Sequence, residues 1–316
     1  MTTDPAYATG HGTPVDGVLL LDKPLGMSSN AALQAVRRLF DRVKAGHTGT
    51  LDPLATGLLP VCLGAATKFA AGLLEADKVY DCVIRLGMAT TTGDADGDPI
   101  FHGSAAGCLE RFQEALTAFT GDIDQVPPMF SALKHRGRAL YLYARAGHVV
   151  ERQARRVTVH ALQLISSSGA DVSVRVRCSK GTYVRSLAHD IGVRLGCGAH
   201  LTALRRTGIG RLGIEEAVAL DRLAALTEAE RISCLRPADI LLADLPAVVV
   251  DHTRAEALLH GRAVARVPSE PVGSVRLYAE DGLFLGLGAG GQDLLSPKRM
   301  CVRTLTEAAL ADADVT

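Results

Sequence analysis

A period-two alternation, present twice, constrains this chain more than any other feature. From Val79 to Leu86, Tyr80, Cys82, Ile84 and Leu86 share one face, while Asp81, Val83 and Arg85 share the other. From Val172 to Ser179, Val172, Val174, Val176 and Cys178 face one way, and Arg175 and Arg177 face the other. Successive strand residues point to opposite sides of a sheet, so each pattern specifies a strand with one buried face. Val18–Leu21, an apolar run closed by Asp22-Lys-Pro-Leu-Gly26, reads as a buried strand entering a turn, and Val157–Leu164 as a further strand. Ser28-Ser-Asn30 caps a helix carrying Leu33, Val36, Leu39 and Phe40. Ala65–Leu74 and Leu109–Phe119 also read as helices, and Val184, Leu187, Ala188, Ile191 and Leu195 form an apolar stripe behind Gly181-Thr182. Residues 46–64 read as glycine-rich and irregular. Strands and helices mix without regular βαβ alternation, which predicts an α+β fold with a mixed, mostly antiparallel sheet flanked by helices and loops.

The length of 316 residues suits one large domain and a small one. Residues 17–240 read as the large domain. The stretch Pro237–Pro246 reads as a boundary, and residues 245–316 as a small β-rich domain with runs at Val248–Val250, Ser274–Leu277, Phe284–Leu287 and Met300–Val302. Residues 125–153 contain Pro127-Pro128, several basic residues and a short helix ending near Gly147, and read as an excursion from the core. Residues 1–16 are polar, lack an apolar run, and read as a flexible leader rather than a signal peptide. No later apolar run is long enough to cross a membrane, so a cytoplasmic protein with no membrane association is expected.

The formal net charge is zero, yet its distribution is uneven. Residues 131–211 hold 15 Lys and Arg against 3 Asp and Glu, a net +12 that the flanking segments cancel. A stretch this basic predicts a polyanion-binding surface. The seven cysteines are widely spaced, with no C-x-x-C, so neither a disulfide framework nor a zinc site is indicated. Cys197-Gly-Ala-His200 has a tolerable ligand spacing but no second pair, and reads as structural. Asp94-Ala-Asp96-Gly-Asp98 resembles the start of a calcium loop. Its glycine comes too early and Ala105 stands where a bidentate Glu belongs, so it reads as an acidic turn. Gly286-Leu-Gly-Ala-Gly-Gly291 has the composition of a dinucleotide loop but no helix after it, and reads as a β-turn.

The segment Gly46-His47-Thr48-Gly49-Thr50-Leu51-Asp52-Pro53-Leu54-Ala55-Thr56-Gly57 crowds glycines, hydroxyls and a proline around one Asp and one His. Such a loop can present a single side chain to a ligand. Equally, Asp52 can serve only an Asx-type turn. The second candidate is Cys178-Ser-Lys-Gly-Thr-Tyr-Val-Arg185, where a strand ends and a helix begins. A helix N-terminus with Lys180 and Arg185 favours an anion, either a phosphate or Asp52 itself. Arg185 beside Asp52 would keep the carboxylate ionised by lowering its pKa.

GVLLLDKPLGMSS (17–29), GHTGTLDPLATGLLPVCLG (46–64), KVY (78–80), SALK (131–134), CSKGTYVRSLAHDIGVRLGCGAH (178–200) and LRR (204–206) together resemble the TruB family of tRNA pseudouridine synthases. The resemblance covers nearly all of residues 17–211, in the family's order. It implies the pseudouridine synthase fold, with a weaker likeness of the C-terminal part to a PUA-like RNA-binding domain. Asp52 is implied to be the catalytic Asp. His47 is similar to the His that fills the space of the extruded nucleotide, and Tyr80 to the Tyr that stacks on the target base. Tyr183 and Arg185 resemble a substrate-contacting Tyr and the Arg that pairs with the catalytic carboxylate. Leu204 is implied to line the pocket, and Lys23-Pro24 to buttress the active-site loop. Lys23 and Lys180 complete the expected substrate contacts, and Arg185 and Tyr80 are expected to join Asp52 as catalytic residues.

The implied substrate is tRNA at position 55 of the T-stem-loop, bound by a monomer with no obligate protein partner. The excursion at 125–153 would clamp the RNA through its phosphates. Pseudouridine formation breaks one glycosidic bond and forms a C–C bond within the same nucleotide. It is an isomerisation that calls for no redox cofactor, and no P-loop, Rossmann fingerprint or metal cluster is present in the sequence. A lone carboxylate could attack the sugar, attack the base or abstract a proton. Two other functions fit less well: guided modification of ribosomal RNA, given the absence of long basic tails, and non-catalytic RNA binding, given an intact Asp52.

Overall fold

A computed structural model describes residues 15–301. Most of the expected leader, and the chain from residue 302 on, lie outside the described residues. Of the leader, Val15 and Asp16 are described, and the Asp16 carboxylate accepts from the Ala65 backbone N–H, which docks this end on the body.

The apolar run after Asp16 becomes β1 (Gly17–Lys23), buried along almost its whole length. The Ser28 hydroxyl accepts from Ala31 N at 3.1 Å and caps α1 (Ser29–Leu39), as expected. The chain returns through β2 (Ala45–His47) into β3 (Ala55–Leu63), which lies antiparallel to both β1 and β2. This corrects the irregular reading at 46–47 and 55–63, while residues 48–54 do form an irregular loop. A strand buried on both faces carries no alternation to betray it, and Gly57 and Pro60 within it resemble turn residues. The following helical segment, Gly64–Leu73, winds as a 3-10 helix rather than an α-helix, with Gly72 pressed against the Leu241 carbonyl.

The first alternating segment forms β4 (Lys78–Leu86), followed by the hairpin of β5 (Met88–Thr90) and β6 (Pro99–His102). Next come α2 (Cys108–Ala118) and the edge strand β7 (Gly121–Gln125). The excursion holds only the two-residue pair β8 (Lys134–His135) and β9 (Arg138–Ala139) and the short α3 (Leu140–Arg145). A long hairpin of β10 (Arg155–Ser168) and β11 (Asp171–Cys178) leads into α4 (Val184–Leu195) and β12 (Ala199–Ile209). Short pieces complete this region: β13 (Leu212–Gly213), β14 (Val218–Ala219), α5 (Leu220–Ala225), α6 (Glu228–Ser233) and β15 (Leu235–Arg236).

The main sheet runs β14-β1-β3-β12-β4-β11-β10-β7. Only β14/β1 and β3/β12 pair in parallel along it, so the sheet is mixed and mostly antiparallel. Both alternating segments behave as expected: Cys82, Ile84, Leu86, Val172, Val174, Val176 and Cys178 are buried. The stripe of α4 (Val184, Leu187, Ala188, Ile191, Leu195) packs into the same core. The parallel pairing of β3 with β12 sets Leu204 beside Ala55 and Arg206 beside Gly57. It brings the strand that follows the Asp52 loop against the LRR segment.

Beyond a 3-10 turn at Ala238–Leu242, a five-stranded sheet forms from β16 (Ala247–Val250), β17 (Val264–Ala265), β18 (Gly273–Ala279), β19 (Phe284–Gly290) and β20 (Leu294–Met300), covered by α7 (His252–Leu259). Two expectations change here. Residues 286–290 lie inside β19 rather than in a β-turn, because Gly288 admits the Leu277 side chain that a Cβ would meet at 2.8 Å. The last described strand ends at Met300 instead of starting there, and Val302 lies outside the described residues. This β-rich domain is fastened to the main body by Phe69 packing on Phe284 and by the Tyr278 hydroxyl donating to Asp239 at 2.6 Å.

Candidate active site

Asp52 sits on a loop held from four sides. The Ser29 hydroxyl accepts from Leu51 N at 2.7 Å and donates to Leu51 O at 2.9 Å, clamping the residue before Asp52 from both backbone directions. Gly26 N donates to Pro53 O at 2.8 Å, so the turn after β1 braces the residue that follows. Leu51 is buried as an anchor, and Arg206 donates to Gly49 O at 3.2 Å from beneath. A loop tied at Gly49, Leu51 and Pro53 leaves the Asp52 side chain little freedom.

Arg185 opens α4 and is the hub of the site. Its Nε donates to Asp52 Oδ2 at 2.9 Å and lies 3.6 Å from Asp94 Oδ2. Nη1 donates to Thr92 O at 2.8 Å and Nη2 to Phe130 O at 2.7 Å. One buried guanidinium thus ties together the Asp52 loop, the acidic turn and the start of the excursion. Of the two anions expected for this helix start, the structure places Asp52 there. Asp52 Oδ1 makes no hydrogen bond to the described residues, so one carboxylate oxygen is fixed and the other is available.

The electrostatic expectation for Asp52 is corrected. Beside Arg185 the carboxyl is expected below its ordinary value; instead it lies above it. Burial raises it most, the Arg185 charge pulls it down, the Asp94 charge raises it again, and the Arg185 hydrogen bond and Lys23 pull down. Withdrawal from water outweighs the guanidinium.

The other expected residues largely converge on this loop. Lys23 is fully buried, and its ammonium donates to Pro24 O at 2.9 Å and to Met27 O. Burial lowers its pKa to about 8, opposed by the Asp52 charge and assisted by Arg206. His47, on β2, accepts a long bond from Gly49 N at 3.4 Å, and burial and Arg206 both lower its pKa, which favours the neutral ring. Tyr80 and Leu204 face the same side of the sheet on adjacent strands, with Leu204 opposite Cys82. Gln125 accepts from Tyr183 N at 2.8 Å and donates to Tyr183 O at 3.1 Å, fixing that backbone, while the Tyr183 hydroxyl lies beside Ser131. Burial raises both tyrosines' pKa. Lys180 is the exception: it is exposed and paired with Glu75, and no group around Asp52 is among its partners.

Four residues of the site escape the sequence reading. Asp94 belongs to the segment that reads as a plain acidic turn; it is buried, with its carboxylate accepting from the Thr92 hydroxyl and from Asp96 N at 3.2 Å. Ser29, Gln125 and Arg206 are the others. Ser29 carries a signal, since a second serine beside the Ser28 cap is unneeded for capping. Arg206 lies in the quoted LRR segment, but its role is not marked there, and nothing local marks Asp94 or Gln125.

Family models match almost the whole described chain. Residues 37–184 match the TruB family pseudouridylate synthase N-terminal domain, 185–243 the tRNA pseudouridylate synthase B C-terminal domain, and 246–301 the Pseudouridine synthase II TruB C-terminal model. A protein named tRNA pseudouridine synthase B from Burkholderia mallei (strain NCTC 10247) is 53% identical over 294 residues, covering 91% of this chain and 97% of that one. Its namesake from Aromatoleum aromaticum is 55% identical over 287 residues, covering 90% and 92%. Among solved structures, a chain of the Cbf5-Nop10-Gar1 complex superposes with a TM-score of 0.70 at 26% identity, covering 91% of this chain and 85% of that one. An H/ACA RNP bound to a substrate RNA containing 2'-deoxyuridine shares the fold, with a TM-score of 0.68 at 24% identity, covering 91% and 86%. A carboxylate loop braced by the turn after β1 and an arginine from the start of α4 reaching it stand beside family models over 37–301 and relatives matched over 90% and 91% of the chain: it belongs to the TruB family of pseudouridine synthases.

Proposed function

We propose that this chain converts uridine 55 in the T-loop of tRNA to pseudouridine, acting as a cytoplasmic monomer, with Asp52 as the reacting carboxylate. Family membership carries the coarser part: the chain is a tRNA pseudouridine synthase. The observation that carries the assignment to Asp52 is its asymmetric tether. Oδ2 is held by a buried guanidinium at 2.9 Å, while Oδ1 is left for a substrate atom.

A uridine stacked in its loop must be extruded to reach that oxygen. Tyr80 offers the flat surface for the uracil, a stack worth about 1–3 kcal/mol that offsets part of the unstacking cost. Leu204 and Tyr183 bound the same space, and neutral His47 takes the room left by the extruded nucleotide. Lys23, donating to carbonyls of the turn that braces Pro53, supports the loop rather than the substrate. The excursion, with Lys134, Arg136, Arg138 and Arg145 exposed, would lie along the RNA phosphates, and the β-rich C-terminal domain would add a PUA-like contact. Lys180 fits this scheme only through the backbone of tRNA.

The test uses purified full-length protein and unmodified tRNA, with pseudouridine mapped by position. Asp52→Asn keeps the shape and removes the charge. It is expected to abolish product while leaving tRNA affinity within about twofold, because a group acting only in the reaction lowers turnover and not binding. Turnover by the Asn variant would remove Asp52 from the reaction, and product at another position alone would overturn the T-loop assignment.

A further inference from the structure

Arg206 is among the most deeply buried side chains of the protein, 1% exposed, and forms no ion pair among the described residues. A buried cation without a carboxylate is a costly choice for mere packing, since an apolar residue of similar volume would serve the core better. Where its donors go is therefore informative. Nε donates to Leu58 O at 2.8 Å and Nη2 to Gly49 O at 3.2 Å. These carbonyls bracket the Asp52 loop, one before it and one at the strand it enters. In the β12/β4 ladder Arg206 stands directly opposite Tyr80. Side chains of such a pair share a face and sit about 5 Å apart at Cβ. Across that pair the guanidinium lies close enough to act on the Tyr80 phenol through its charge. The register is fixed further by Gly57, whose lack of a side chain lets β3 close on the Arg206 backbone, where a Cβ would meet the carbonyl oxygen at 2.3 Å.

We infer that Arg206 is a positioning residue for the reaction: set opposite Tyr80 in the ladder and tied to the backbone on both sides of Asp52, its guanidinium holds the stacking strand and the loop of the reacting carboxylate in one fixed geometry toward the extruded uracil. This rests on the roles proposed above for Asp52 and Tyr80. The arrangement explains why the cation has no acidic partner. Two of its nitrogens donate to backbone carbonyls on either side of Asp52, and a carboxylate would draw those donors away.

The experiment is a double-mutant cycle on full-length protein, with Arg206→Met, Arg206→Lys, Tyr80→Phe and the combined variants, reading single-turnover rate and tRNA Kd separately. Arg206→Met is expected to slow the single-turnover step about tenfold or more, with Kd changed less than about twofold. Arg206→Lys is expected to recover part of the rate, because an ammonium keeps the charge and can reach one carbonyl but not both. In the Tyr80→Phe background, the Arg206 substitutions are expected to cost little more. An equal fold-loss with and without the Tyr80 hydroxyl would overturn the inference, as would a change confined to Kd. If the Met variant does not fold, the Lys variant completes the same cycle. Asp52→Asn run in parallel separates the two readings: an active Asn variant sinks the proposed function, whereas an inactive one with an additive Arg206–Tyr80 cycle sinks this inference alone.

Discussion

Asp52 lies between two groups of opposite effect that are both more buried than it is. Arg185 pulls its pKa down and Asp94 pushes it up, on top of a dominant rise from burial. With Asp52 as the proposed reacting carboxylate, which must be ionised, activity is expected to fall as pH drops through its raised pKa. Removing Asp94's charge removes one cause of the rise. The acid limb of the single-turnover rate is therefore expected to move to lower pH in Asp94→Asn, and to higher pH in Arg185→Met. A limb that stays in place in both variants would mean that another group governs it. The pairing of Asp52 with Arg185 is legible from the residues and the resemblance. Asp94 is not, because its role depends on a contact with Arg185 that local spacing cannot show.

At the scale of elements, the join between β3 and β12 sets the strand that follows the Asp52 loop against the LRR segment. Gly57 has φ +98, a conformation that disfavours any side chain, and a Cβ there would sit 2.3 Å from the Arg206 carbonyl oxygen. Gly57→Ala is expected to destabilise the protein by about 3 kcal/mol or more in urea titration, combining backbone strain with a forced separation of strands. By contrast, Ile191→Ala on α4 removes core volume away from the Asp52 loop. A similar cost of about 2–5 kcal/mol is expected from the cavity, but with the single-turnover rate of the folded fraction preserved. Equal kinetic damage in both variants would show that the β3/β12 join has no special claim on the site. The alternating strands and the helical stripe of α4 are legible because each keeps one face in the core and one in water. β3 is not, since both of its faces are buried and the pattern vanishes.

For the whole molecule, charge is redistributed by folding. The basic excess of residues 131–211 predicts a continuous polyanion surface, but much of it is paired with acids from elsewhere in the chain. Arg175 meets Asp81 at 2.7 Å, Arg177 meets Asp77 at 3.3 Å, and Lys180 meets Glu75. Arg205 meets Asp22 at 2.7 Å. Lys134, Arg136, Arg138 and Arg145 are exposed and have no acidic partner among the described residues. tRNA affinity is expected to fall steeply with salt. Replacing Arg136, Arg138 and Arg145 by Ala is expected to reduce the slope of log K against log salt by about 2–3, at roughly 0.7–0.9 for each phosphate no longer neutralised. Arg175→Ala, which breaks an existing pair, is expected to leave the slope nearly unchanged. A flat response in the triple variant, or an equal effect from Arg175→Ala, would return the binding surface to the sheet face.

The amino-acid sequence by itself determined the elements whose two faces meet different surroundings, and the loop chemistry around Asp52, because periodicity, capping and glycine placement act over a few residues. Tertiary structure alone decided which anion Arg185 holds, that Asp94 and Arg206 belong to the site, which way the Asp52 pKa moves, and which cations remain free among the described residues. Each of these depends on groups brought together from distant parts of the chain and on how much water is excluded around them, and neither quantity exists until the sheet has closed.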